Sequence, residues 1–357
     1  LGVRRSVRTI VAVSEGGFVE SLLAAPVGVG LLAALEGMAR GGVVWSTDMP
    51  WGTDRAAIET AAASVTGMSW GQLLCTAVET GLFRVGPWMS DAPANLADAY
   101  RHAGERHPIA EAIADRFGPA LHVPLDADVQ QWWHSGSPEL EWFIRPRFRR
   151  FDDVYGAGQF TFGGLWTVSD PPPEVHCALI SSWELEPDPV SRWWLPIERP
   201  VRVWEIHSPA DWVRLVATYP AVGRGYDGWE LPGINQHRRD VDVLLGIDGQ
   251  HGVRIAGRQL VPDWEAVAAD FDGVHLSWAG FVTAEGYVSD LDVGDVTMLR
   301  YWFSERTLWL RDVFGDPAPL GAPHSDIPDV EVGVDVRHDA TRREQDITVL
   351  RSQRGHR

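Results

Sequence analysis

Thr297-Met298-Leu299-Arg300-Tyr301-Trp302-Phe303-Ser304-Glu305-Arg306-Thr307-Leu308-Trp309-Leu310-Arg311-Asp312-Val313-Phe314 is rich in aromatic and aliphatic residues and carries a carboxylate, Glu305, near its middle, with Asp312 close to its end. That composition predicts one long strand. Side chains alternate between the faces of a strand, so Glu305 is expected to point the same way as Tyr301, Phe303, Thr307 and Trp309. An ionisable acid on an aromatic face is costly unless it is paired or kept wet in a cleft. Acids held in such places are enriched at functional sites. Glu305 is therefore the candidate catalytic residue.

From about residue 131 the chain has a strand-rich texture. Segments 141–144, 160–168, 177–183, 201–206, 241–247 and 273–276 read as further strands, divided by turns such as Asp170-Pro171-Pro172-Pro173 and Glu186-Pro187-Asp188-Pro189. Short helices are expected at 208–215, with Ser208 as N-cap and Pro209 in the first turn, and at 262–268. Residues 1–130 read as mostly helical, with Ala-, Leu- and Glu-rich runs at 31–36 and 54–63, a helix start near Asp91-Ala92-Pro93, and a helix over 108–117 closed by Gly118-Pro119. The expectation is an α+β protein: a helical N-terminal region of unassigned role (1–130), a mixed or split-sheet domain (131–320), and a loose polar tail (321–357).

Composition narrows the function. At 45% hydrophobic and 22% charged, the 357-residue chain has the make-up of a globular protein. No apolar run reaches the roughly 18 residues of a membrane span. The best stretch, 18–38, is interrupted by Glu20 and Glu36, and the arginines before it give only a weak leader pattern. A net charge of −18 opposes non-specific binding to nucleic acid or anionic lipid, with one local exception at Arg145-Pro146-Arg147-Phe148-Arg149-Arg150. That run reads as a solvated edge or as a phosphate clamp. All 31 basic residues are arginine, which fits a GC-rich genome or, alternatively, a toxin that avoids lysine-directed tagging. The 18 tryptophans supply buried rings or stacking surfaces. Two cysteines, Cys75 and Cys177, make neither a disulfide framework nor a zinc site, so a reducing, cytoplasmic compartment is expected.

A second segment with chemical content is Gly163-Gly164-Leu165-Trp166-Thr167-Val168-Ser169. Paired glycines allow close backbone approach to a ligand, and the strand beyond them offers hydroxyls beside an indole. The set suits a flat amide-bearing ring such as nicotinamide. It suits equally a hairpin turn entering a buried strand. At Asp270-Phe271-Asp272-Gly273-Val274-His275, Asp272 reads as turn chemistry or as a holder of a ligand hydroxyl. A hydrolase of another kind would need His207, His275, Asp211 and Asp272 to converge. His237, Asp240 and Asp242 have only a generic metal-ligand spacing.

The 163–169 segment, Ser208-Pro209-Ala210-Asp211-Trp212, Asp270 to His275 and Glu305-Arg306-Thr307-Leu308-Trp309-Leu310 occur in this order. Together, over about residues 141–314, they resemble an uncharacterised bacterial and phage family that is itself similar to the ADP-ribosyltransferase superfamily, toxin-type members included. The resemblance implies a split-sheet fold with NAD, as substrate, in a cleft. It implies that Glu305 stabilises the oxocarbenium-like ribose, that Arg145 touches the dinucleotide, and that Gly164, Trp166, Thr167 and Ser169 hold the nicotinamide. Partners implied are NAD, an unidentified acceptor and a cognate antitoxin or phage component, in the cytoplasm or after delivery to another cell. Phe303 stands where arginine-directed members carry Gln or Glu, which leaves the acceptor open. The competing expectation is a non-enzymatic binding protein that uses its aromatic surfaces.

Overall fold

Asp54 opens one of the N-terminal helices by accepting the Ala56 N–H at 2.9 Å, which satisfies an otherwise orphaned donor. The computed structural model describes residues 17–42, 53–83, 96, 99–135, 165–183, 185, 190–222, 258, 260–291, 295–300 and 302–322. Among the described residues its N-terminal helices include α1 (Phe18–Ala24), α2 (Pro26–Ala39), α3 (Arg55–Val65), α4 (Trp70–Phe83) and α5 (His107–Leu121). Pro26 ends α1 and starts α2, and the two are bent by 87°. Helix α2 is buried over most of its length and approaches its neighbours closely. A Cβ on Gly28 would lie 2.1 Å from the Leu22 carbonyl oxygen. Among the described residues no single helix is long and apolar enough to cross a membrane.

The later elements are β1 (Gln130–Ser135), β2 (Leu165–Ser169), α6 (His176–Ser182), β3 (Val190–Trp194), β4 (Val203–Ile206), α7 (Pro209–Thr218), β5 (Pro220–Val222), β6 (Leu260–Pro262), α8 (Trp264–Asp270), β7 (Gly273–Leu276), α9 (Trp278–Ala284), β8 (Val288–Asp290), β9 (Val296–Met298), β10 (Arg306–Trp309) and β11 (Ala318–Gly321). Seven strands form one sheet in the order β11-β3-β1-β2-β10-β7-β4. Every pairing in it is antiparallel except β4 with β7, so the sheet is mixed and the protein is α+β.

The sheet separates two apolar clusters. Trp133, Val168, Val274, Leu276 and Leu308 face the helices and share a core with Leu31, Leu73, Ile109 and Ile113. Trp132, Leu165 and Trp309 face the other way, onto Leu195, Val313 and Phe314. Residues on either side of position 130 thus pack into one core, and the described residues all fall within one compact unit that ends at His324.

Three sequence expectations are corrected. The stretch 297–314 is not one strand: β9 and β10 are separated by a bend in which Phe303 has φ 64°. Residues 177–183 are helical rather than extended. His176, Ala178, Leu179 and Ser182 are its buried positions, the i, i+3 and i+4 spacing of a helix face. Helix α5 runs through Gly118-Pro119 to Leu121, because Phe117 and Leu121 hold its apolar face in the core while Asp115 and Pro119 lie exposed. Segments 141–144 and 241–247, the helix start near Asp91 and the tail beyond 322 lie outside the described residues.

Candidate active site

The bend at 302–305 delivers Glu305 to the head of β10. Its backbone is held from two sides. The Glu285 carboxylate accepts the Trp302 N–H at 3.2 Å. Trp183 Nε1 donates to Ser304 Oγ at 3.2 Å, and that hydroxyl donates to the Glu305 carbonyl at 3.0 Å. A phenylalanine in the left-handed region costs about 1–3 kcal/mol and persists only where its surroundings over-determine it. Here those surroundings are the Glu285 and Ser304 contacts, together with the burial of the Trp302 and Phe303 rings.

Glu305 itself is 3% exposed. Its Oε1 accepts the Ser169 hydroxyl at 2.9 Å and lies 3.0 Å from His275 Nε2. Its Oε2 accepts the Ser169 N–H at 3.1 Å. The other ring nitrogen of His275, Nδ1, lies 2.5 Å from Glu205 Oε2. Glu205 Oε1 in turn accepts the Leu125 N–H at 3.1 Å. Strand register explains the convergence. Glu205 is opposite His275 across β4 and β7, His275 is opposite Thr307, and Thr307 is opposite Thr167, so all four share one face of the sheet. Glu305 and Ser169 lie two residues along from Thr307 and Thr167, and so point the same way.

Electrostatics follow from this packing. Burial alone would pull the His275 ring down, but hydrogen bonds to Glu205 and Glu305 overcome it and raise its pKa from 6.5 to about 9. His207, partly exposed, lies with Nε2 3.8 Å from Glu205 Oε2 and Nδ1 2.9 Å from Ser277 Oγ. Burial lowers its pKa. On the opposite, helix-facing side, Arg306 is buried between Trp166 and Trp183, with its guanidinium carbon 5.0 and 4.4 Å from their ring centroids. Burial lowers the Arg306 pKa to about 9, so it keeps its charge at neutral pH. Burial also raises Glu285 to about 8 against the pull of Arg300 and Arg306.

The structure treats the sequence candidates differently. Glu305 and Ser169 are brought into direct contact. Thr167 joins them at one remove: it donates to Gln130 Oε1, and Gln130 Nε2 donates to Ser169 Oγ at 3.0 Å. Trp166 is not with them. It alternates to the other face, where it meets Trp302 edge to face with ring centroids 4.8 Å apart. Arg145 and Gly164 lie outside the described residues, as do His237, Asp240 and Asp242. Of the four residues tested for convergence, His207 and His275 meet at Glu205. The Asp211 carboxylate binds the His207 N–H at 2.9 Å, and Asp272 is drawn away to Arg199 at 2.7 Å. Gln130 and Glu205 are additions. Glu205 sits in Val203-Trp204-Glu205-Ile206 and His275 in Gly273-Val274-His275-Leu276, and a charged or titratable side chain within a short apolar strand is the same signal that marks Glu305. Among the described residues no group of three or more His, Cys, Asp or Glu side chains could hold a metal ion. No protein family, curated protein or solved structure matches the chain.

Proposed function

We propose that Glu305 is the catalytic carboxylate of an NAD-dependent ADP-ribosyltransferase, acting as a toxin or phage-conflict effector. The observation that carries this reading is the double grip of Ser169 on Glu305, through its hydroxyl at 2.9 Å and its N–H at 3.1 Å. The resemblance implies that Ser169 helps to hold the nicotinamide and that Glu305 meets the ribose, and their contact is what supports placing the two groups at one site. In the reaction the bond between nicotinamide nitrogen and ribose C1 breaks, and its electron pair leaves with the nicotinamide. The cationic ribose then takes the acceptor's lone pair, and the acceptor loses a proton. A carboxylate fixed beforehand where positive charge develops contributes more than one that must reorganise. Oε2, with the Ser169 N–H as its only partner among the described residues, retains lone pairs for a ribose hydroxyl.

The test is release of nicotinamide from NAD by the purified chain. Glu305→Gln keeps the shape and removes the charge, and is expected to lower turnover by about 100-fold or more. Turnover equal to that of the unaltered chain would remove Glu305 from the mechanism.

The 3% exposure of Glu305 favours a second reading, a non-enzymatic interaction protein in which this network is internal scaffolding. Trp194, 38% exposed on β3, belongs to the aromatic surface such a protein would use. A stoichiometric partner recovered by pull-down, with NAD left intact, would decide for it.

A further inference from the structure

We infer that His275 is a positioning residue, a doubly protonated imidazolium that ties Glu305 to Glu205 and so fixes the orientation of the Glu305 carboxylate. The geometry makes the argument. A neutral imidazole has one donor and one acceptor nitrogen. Both nitrogens of His275 face carboxylate oxygens, at 3.0 Å and 2.5 Å. Ionised carboxylates only accept hydrogen bonds, so both contacts are made together only if both nitrogens carry protons. The ring is 1% exposed, and water is no substitute for either partner.

An isolated imidazolium at such a depth would be expensive, and two flanking carboxylates are what offset it. The charged groups around it come from each neighbouring strand: Glu205 from β4, Glu305 from the head of β10, and His207 just beyond β4. Ser169 on β2 holds the far side of Glu305, so the carboxylate is fixed by two strands on opposite sides of its own. Glu205 differs from Glu305 in being 27% exposed at its side chain. The clamp therefore links a partly solvated carboxylate to a buried one through a single ring. Any use of the fixed carboxylate in turnover rests on the proposed function, whereas the charge state of the ring does not.

Nitrogen NMR of the ring in the full-length chain tests the clamp. At pH 7.5 both ring nitrogens are expected to show the shifts of protonated imidazolium. Glu205→Gln should lower the His275 midpoint by a unit or more and shift the Ser169 amide proton, which reports the hold on Glu305. A singly protonated ring at pH 7.5 overturns the inference. So does a Glu205→Gln variant in which the His275 titration and the Ser169 amide both stay in place. In the NAD assay Glu205→Gln is expected to reduce kcat at least tenfold with little change in KM. If the unaltered chain releases no nicotinamide while its ring is doubly protonated, the proposed function fails and the clamp stands.

Discussion

At the scale of single residues, a titratable side chain among apolar neighbours proved the most informative signal. Glu305 was found that way, and Glu205 and His275 answer to the same rule. His275 also makes a prediction that needs no enzymatic assay. Its folded pKa, about 9, lies above the 6.5 of an unperturbed imidazole, so the folded state binds its proton more tightly. The stability this supplies is fully present below pH 6.5 and is lost as pH rises through 9. The slope is about 1.4 kcal/mol per pH unit for one proton. Glu285, raised from 4.5 to about 8, contributes loss of stability in the same direction but at lower pH. Arg306, lowered to about 9, opposes it only above that value. Between pH 8 and 9 His275 therefore dominates, and the absence of lysine removes the usual competing groups just above that window. Urea midpoints at pH 8 and 9 are expected to fall accordingly. A midpoint that is flat over that interval, or rises, would show that the ring is not held as a cation.

Elements are where sequence periodicity was overruled. The aromatic content of 297–314 argued for continuous extension, yet Glu285 on one side and Trp183, through Ser304, on the other hold a bend there, and the bend is what carries Glu305 to Ser169. Neither contact is visible in local sequence, because Glu285 is 20 residues from Glu305 and Trp183 is more than 100 residues away. Segment 177–183 was misread because a short apolar run between Pro-rich turns does not by itself separate strand from helix, while its buried positions follow a helical period. Helix α9 gives a test of element packing. A Cβ at Gly280 would sit 2.3 Å from the Ile206 carbonyl oxygen of β4. In an exposed helix Gly→Ala stabilises by about 1 kcal/mol. Here the clash is with backbone, so Gly280→Ala is expected to destabilise by about 1–3 kcal/mol or more. A raised thermal midpoint in that variant would mean that α9 and β4 are not so closely packed.

On the scale of the whole molecule, the helical first third and the sheet share one core, so the boundary read at residue 130 separates textures rather than bodies. Val168, Val274, Leu276 and Leu308 of the sheet share one apolar cluster with residues of α2, α4 and α5, joined to them through α6 and α9. Uncovering side chains of that size costs about 1.5–3 kcal/mol each. Four of them approach or exceed the roughly 5–15 kcal/mol by which a domain is stable. A chain starting at residue 131 is accordingly expected to lack a cooperative thermal transition. A sharp melt from that fragment would restore the two-body division. The sequence by itself determined the mixed α and β character, the helices opened by Asp54 and Pro209, the short strand at 273–276 and the setting of Glu305 among apolar residues, because capping, turns and apolar runs are local physics. Only the tertiary structure decided that Ser169 and His275 flank that glutamate, with Glu205 on the far side of the imidazole, and that Trp166 turns away from it. Those facts depend on which strands pair and in what register, and register is fixed by contacts between residues far apart in the chain.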